Sequence, residues 1–138
     1  MPSNPRFKPR DWAANPKHFG SSETIEWLDR PRTKSKTPPA NESAPDAEKR
    51  EQHELDQRGA ARRQHELALV IRQTAKIRGH YTITAYAEEF GLNYKRLNTI
   101  LNGTAIMRLE DVANAERNLR VTLFWSRNPN GPSAPATG

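Results

Sequence analysis

Between Gly91 and Thr104 the chain places Asn93, Tyr94, Asn98, Thr99 and Asn102 around two cations, Lys95 and Arg96, with no Asp or Glu among them. Amides and hydroxyls both donate and accept hydrogen bonds, and the two cations only donate, so the set suits base edges and phosphate oxygens. Groups that could make or break bonds are sparse elsewhere. Cys is absent, which removes disulfides and thiolate metal sites. The tetrapeptide QHEL occurs at 52–55 and again at 64–67, and His-Glu opens the HExxH zinc signature, but Gln57 and Leu69 stand where its second His belongs. On a continuous helix that separation also sets His53 and His65 roughly 120° apart. With no nucleophile–base pair, glycine phosphate loop or metal spacing, the expectation is a non-enzyme with no catalytic residue, no metal and no cofactor.

The polar set can act together only if a helix aligns it. Thr82 or Thr84 can cap a first short helix bearing Tyr86, Ala87 and Phe90, and Gly91 supplies the left-handed residue that ends it. Asn93 then caps a second helix, where Leu97, Ile100 and Leu101 form an inward stripe and Gly103 lies just past the end. So short a connection makes the helices cross steeply, the geometry of a helix-turn-helix.

The order Ala87, Gly91, Leu92, Asn93, Leu97, Ile100, Asn102-Gly103, followed by RLEDVANAERNL, resembles the phage-repressor (Xre, Cro and lambda-repressor-like) helix-turn-helix family over roughly 64–123. The resemblance implies an all-α domain of four or five helices that binds double-stranded DNA sequence-specifically, as a transcriptional repressor or related regulator of phage or mobile-element type. Carried over by position, Tyr94, Lys95, Asn98 and Thr99 would reach base edges, and Thr82, Asn93, Arg96 and Asn102 would meet phosphates. Two positions depart from the family pattern. Ile83 stands where a Gln usually braces the turn, and Leu101 replaces a frequent glutamate.

Composition divides the chain. Hydrophobic residues make up 34% of it, with 11 Pro and 7 Gly. Residues 1–63 hold four of the Ile, Leu, Val and Met side chains and 64–126 hold 17, while Pro is absent from 46 to 128. Only the second half can bury a core. The net charge of +6 favours a polyanionic partner. No window approaches the ~20 apolar residues of a membrane span, and MPSNPRFKPRDW lacks a signal-peptide core, so a cytoplasmic location is expected.

Residues 1–45 therefore read as a flexible, basic, Pro-rich arm and linker, making a long and largely disordered N-terminal extension. Its Arg6, Lys8 and Arg10 could track phosphates or enter the minor groove. Within it, 21–30 (SSETIEWLDR) suggests a short helix capped by Ser22 that must dock to persist. Residues 46–63 read as a polar, solvated helix capped by Asp46, with a break suggested at Gly59.

The compact domain spans 64–126. Leu67, Val70, Ile71, Thr74 and Ile77 form the stripe of its first helix, and Leu109, Val112, Ala113, Glu116 and Leu119 the seam of its last. Arg72, Lys76 and Arg78 lie on the outer side of the first, where they could touch phosphates or simply be solvated. Val121–Trp125 alternates as a short extended segment or makes a last helical turn whose Phe124 and Trp125 pack back on the domain; it is a candidate homodimer surface, and 127–138 is a disordered tail. The alternative function is a protein-interaction adaptor that grips its partner through Trp12 and Trp27, with the helix-turn-helix as scaffold.

Overall fold

The structure, a computed structural model, describes residues 7–31 and 40–123. Two single 3-10 turns, Pro9–Trp12 and Pro16–His18, precede four helices: α1 (Ala44–Ile77), α2 (Ile83–Phe90), α3 (Tyr94–Asn102) and α4 (Leu109–Leu119). Among the described residues there is no strand, only an isolated antiparallel bridge between Ala13 and Trp27, so the class is all-α.

α1 starts earlier than expected, because the Ser43 side chain, not Asp46, accepts from the amide of Asp46 and caps it. Pro45 is tolerated in the first turn, where no intrahelical N–H is lost. The helix then runs 34 residues, about 51 Å, without a break at Gly59. A single helical Gly costs only about 1 kcal/mol relative to Ala, too little to interrupt a helix packed on either side of it.

The core is built from Leu67, Ala68, Ile71 and Ala75 of α1, Tyr86 and Ala87 of α2, Leu97, Ile100 and Leu101 of α3, and Val112, Ala115 and Leu119 of α4. Two expected members stand outside it. Ile77 is 84% exposed and Leu109 is 73% exposed. The buried arc of α1 is centred near Ala68 and Ile71, and at ~100° per residue Ile77 falls roughly 140° away, while Leu109 lies about 90° off the arc of α4.

The N-terminal segment differs most from the expectation of a flexible arm. Residues 7–31 form a strap against α1 and the C-terminal end of α3, with Trp12 and Ala13 completely buried and Phe19 nearly so. Its proline turns leave few amides to satisfy, and the rest pair internally or with the domain: Ala14 N–H donates to Glu26 O, Leu28 N–H to Trp12 O, and Arg10 N–H to Gly103 O. The short helix expected over 21–30 is absent, since this stretch runs extended to pair with 12–14.

The strap also changes the first half of α1, which is not solvated all round. Glu54 is 5% exposed and carries both Arg30 of the strap and Arg50, at 3.1 and 3.0 Å. A buried carboxylate is tolerable here because two guanidiniums neutralise it. Further along, Ala61 is fully buried and Arg58 donates to Trp27 O.

At the other end, Arg120 adopts the left-handed conformation and turns the chain back. Leu123 N–H donates to the Glu116 carboxylate at 2.8 Å, and the Leu123 side chain is 1% exposed. The expected dimer surface over Val121–Trp125 thus loses Leu123 to the protein's own core. Phe124 and Trp125, the tail 127–138, Arg6 and most of the expected linker (32–39) lie outside the described residues.

Candidate nucleic-acid interface

α2 and α3 are each stopped and started by local chemistry. Thr82 Oγ1 accepts from Ala85 N–H, Gly91 ends α2 at φ 64°, and two residues after it Asn93 Oδ1 accepts from Arg96 N–H. Leu92 N–H reaches back to Ala87 O at 2.8 Å and satisfies a carbonyl that the helix end leaves open. Gly103, at φ 81°, closes α3. These caps fix the orientation of the α3 outer face within a few residues.

That face is held from behind. Gln64 of α1, 5% exposed, donates from Nε2 to Ile100 O and Ala105 O and accepts from Met107 N–H at Oε1, all within 2.9 Å. One buried amide thereby satisfies the end of α3 and the loop to α4. Phe19 of the strap packs on Gly103, and Gly20 passes so close to Leu101 that a Cβ there would lie 2.3 Å from its carbonyl oxygen. The strap's contacts with α3 fall at its C-terminal end, leaving the first turns open.

Sequence reasoning missed this support. Gln64 was legible in principle, because it sits one turn before Leu67 and Ala68 on the same stripe. The strap gave no periodic signal.

The outward residues divide by what they already touch. Tyr94 is 45% exposed and Lys95 is exposed; their side chains, like that of the half-buried Asn98, make no hydrogen bond or ion pair among the described residues. Thr99 donates to Arg96 O, and Asn102 Oδ1 accepts from both the amide and the hydroxyl of Thr104. Thr82 and Asn93 use their side-chain oxygens as caps. Arg96, expected to meet a phosphate, instead donates to Asp111 of α4 at 2.5 Å and to Ile106 O. The Arg96 guanidinium thus compensates Asp111 beside α3. Of the strap cations, Lys8 is exposed and Arg10 half-buried beside Gly103.

A cleft of about 440 Å³ opens beside this face, lined by Arg72 and Lys76 of α1, His80, Thr82 and Thr84 around the start of α2, and Tyr94. Burial lowers the proton affinity of the Arg72 guanidinium and raises that of the Tyr86 phenol, with Asn118 opposing the latter. Among the described residues no cluster of His, Asp or Glu is placed to hold a metal ion, and no helix is long and apolar enough to cross a membrane. Compared with protein-family models, curated proteins and solved structures, the chain matches none.

Proposed function

We infer that the protein binds double-stranded DNA sequence-specifically, with α2 and α3 acting as a helix-turn-helix of the phage-repressor-like class and α3 entering the major groove. Its role would be that of a transcriptional repressor or related regulator. The observation that carries this reading is the outer face of α3: the side chains of exposed Tyr94 and Lys95 and of half-buried Asn98 make no hydrogen bond or ion pair among the described residues. The sequence from Gly91 to Thr104 holds no Asp or Glu, and the nearby Asp111 is paired with Arg96. Unpaired donors on a helix braced from behind can meet base edges without first breaking internal bonds.

Lys95 and Asn98 are the residues assigned to base edges, with Tyr94 and Thr99 flanking them. Thr99 already donates its hydroxyl proton to its own helix, which leaves it an acceptor. Phosphate contacts would come from Lys8, Arg10 and the amide nitrogen of Asn102. Of the two residues assigned to the adaptor reading, Trp12 is completely buried and Trp27 is half-buried.

Binding-site selection from a random duplex pool tests the proposal. Wild type should enrich one sequence, and Lys95→Ala or Asn98→Ala should each lower preference for it by ~1–3 kcal/mol per lost base contact. Equal affinity of wild type for the selected and the random duplexes at physiological salt would refute it.

A further inference from the structure

Arg72 is a half-buried cation with no counter-charge among the described residues. It makes no hydrogen bond or ion pair among the described residues, and its Nε is buried without an acceptor. Three other part-buried cations have a carboxylate, Arg30 and Arg50 on Glu54 and Arg96 on Asp111, and Arg58, whose Nε is likewise buried without an acceptor, still donates to Trp27 O. Taking a charge from water without a counter-charge is costly, so the anion that completes Arg72 should come from outside.

Its surroundings say which anion fits. The cleft lining contains no Asp or Glu, while Lys76 stands one helical turn along α1 and Thr84 near the start of α2 offers a hydroxyl. Gly20 of the strap backs the Nε edge, since a Cβ there would lie 3.4 Å from it, and Arg72 itself lines the cleft. A guanidinium fork matches two oxygens of a tetrahedral anion better than a single point charge does. At about 440 Å³ the space exceeds one phosphate and leaves room for attached sugar.

We propose that the cleft between α1 and α2 is a phosphate-binding site, with Arg72 its principal ligand and Lys76 and Thr84 supporting donors. Tyr94 lines both this cleft and the outer face of α3, so a phosphate held here would sit beside the bases that α3 reads. The source of that phosphate, a duplex backbone, rests on the function proposed above; the site itself does not.

The test follows the Arg72 Nε–H resonance in the ¹⁵N-labelled full chain, assigned through Arg72→Lys. Sodium phosphate is titrated against sodium chloride at matched ionic strength, and the selected duplex in a separate arm. The resonance should shift saturably with phosphate or duplex and not with chloride. Arg72→Gln should lose about tenfold or more in affinity for the ligand that shifts it. The same change should flatten the salt dependence of every duplex by about one unit of slope, leaving sequence preference intact.

A shift with duplex alone identifies the backbone phosphodiester as the source. A shift with phosphate and no duplex binding keeps the site but ends the DNA reading. No shift in either arm overturns the site, as does an unchanged salt slope in folded Arg72→Gln. If Asn98→Ala still lowers operator preference in that case, only the site has failed. Should Arg72→Gln not fold by circular dichroism, the wild-type titration decides alone.

Discussion

Asp111 Oδ2 accepts from Arg96 at 2.5 Å and from the Arg108 amide at 2.8 Å, so one oxygen ties α3 to the first turn of α4. With the Arg96 side chain 35% exposed, the pair is partly screened. Arg96→Ala should therefore lower folding stability by about 1 kcal/mol in urea titration, with a similar coupling to Asp111→Ala in a double-mutant cycle. If Arg96 instead served as a free phosphate ligand, its removal would flatten the salt slope of DNA binding and leave the urea midpoint in place.

His65 makes a second residue-scale prediction. Its Nδ1 accepts from Gly20 N–H at 2.8 Å, which requires the neutral ring, and Phe19 and Trp27 press edge-on to it at 5.5 and 5.7 Å. Burial lowers its proton affinity, with Glu66 opposing in part. The unfolded chain thus binds the proton more readily than the folded one. The stability His65 contributes should be fully present above about pH 6.5 and decline as pH falls below that value toward the depressed folded pKa. Thermal melting from pH 8 to pH 5 checks this: wild type should lose more melting temperature than His65→Gln, and parallel curves would dismiss it.

At the scale of elements, the strap decides how the domain holds together. Trp12→Ala removes a completely buried indole between strap and domain and should destabilise the protein by about 3–5 kcal/mol in chemical denaturation. Deleting 1–31 should unfold the end of α3 along with it, so such a truncation reads stability before it reads recognition. Two glycines separate local from tertiary cost. Gly91→Ala meets open space at φ 64° and should cost about 1 kcal/mol, the left-handed backbone penalty alone. Gly20→Ala would put a Cβ 2.3 Å from Leu101 O and should cost clearly more, measured the same way.

The caps of α2 and α3 were legible at this scale because Thr82, Gly91, Asn93 and Gly103 act on amides and carbonyls within four residues of themselves. Strap docking was not. Its few aromatics follow no period, and the faces they fill belong to residues far along the chain, such as His65 against Phe19 and Trp27.

For the whole molecule, the charge of +6 is spread along the chain rather than gathered in one block, so its sum says little about where a polyanion would lie. Folding sorts these cations. Arg30, Arg50 and Arg96 are drawn into ion pairs, Arg58 caps the Trp27 carbonyl, and Lys95 and Lys76 are left exposed. By itself the sequence determined what short-range chemistry determines: the helical class, the ends of α2 and α3, and which side of α3 is apolar. Only the tertiary structure decided that the N-terminal segment is part of the fold, that Gln64 braces α3, that Arg96 belongs to Asp111, and that Arg72 has no counter-charge among the described residues. Each of these depends on which distant groups meet once water is excluded, and pairing across the core leaves no periodic trace along the chain.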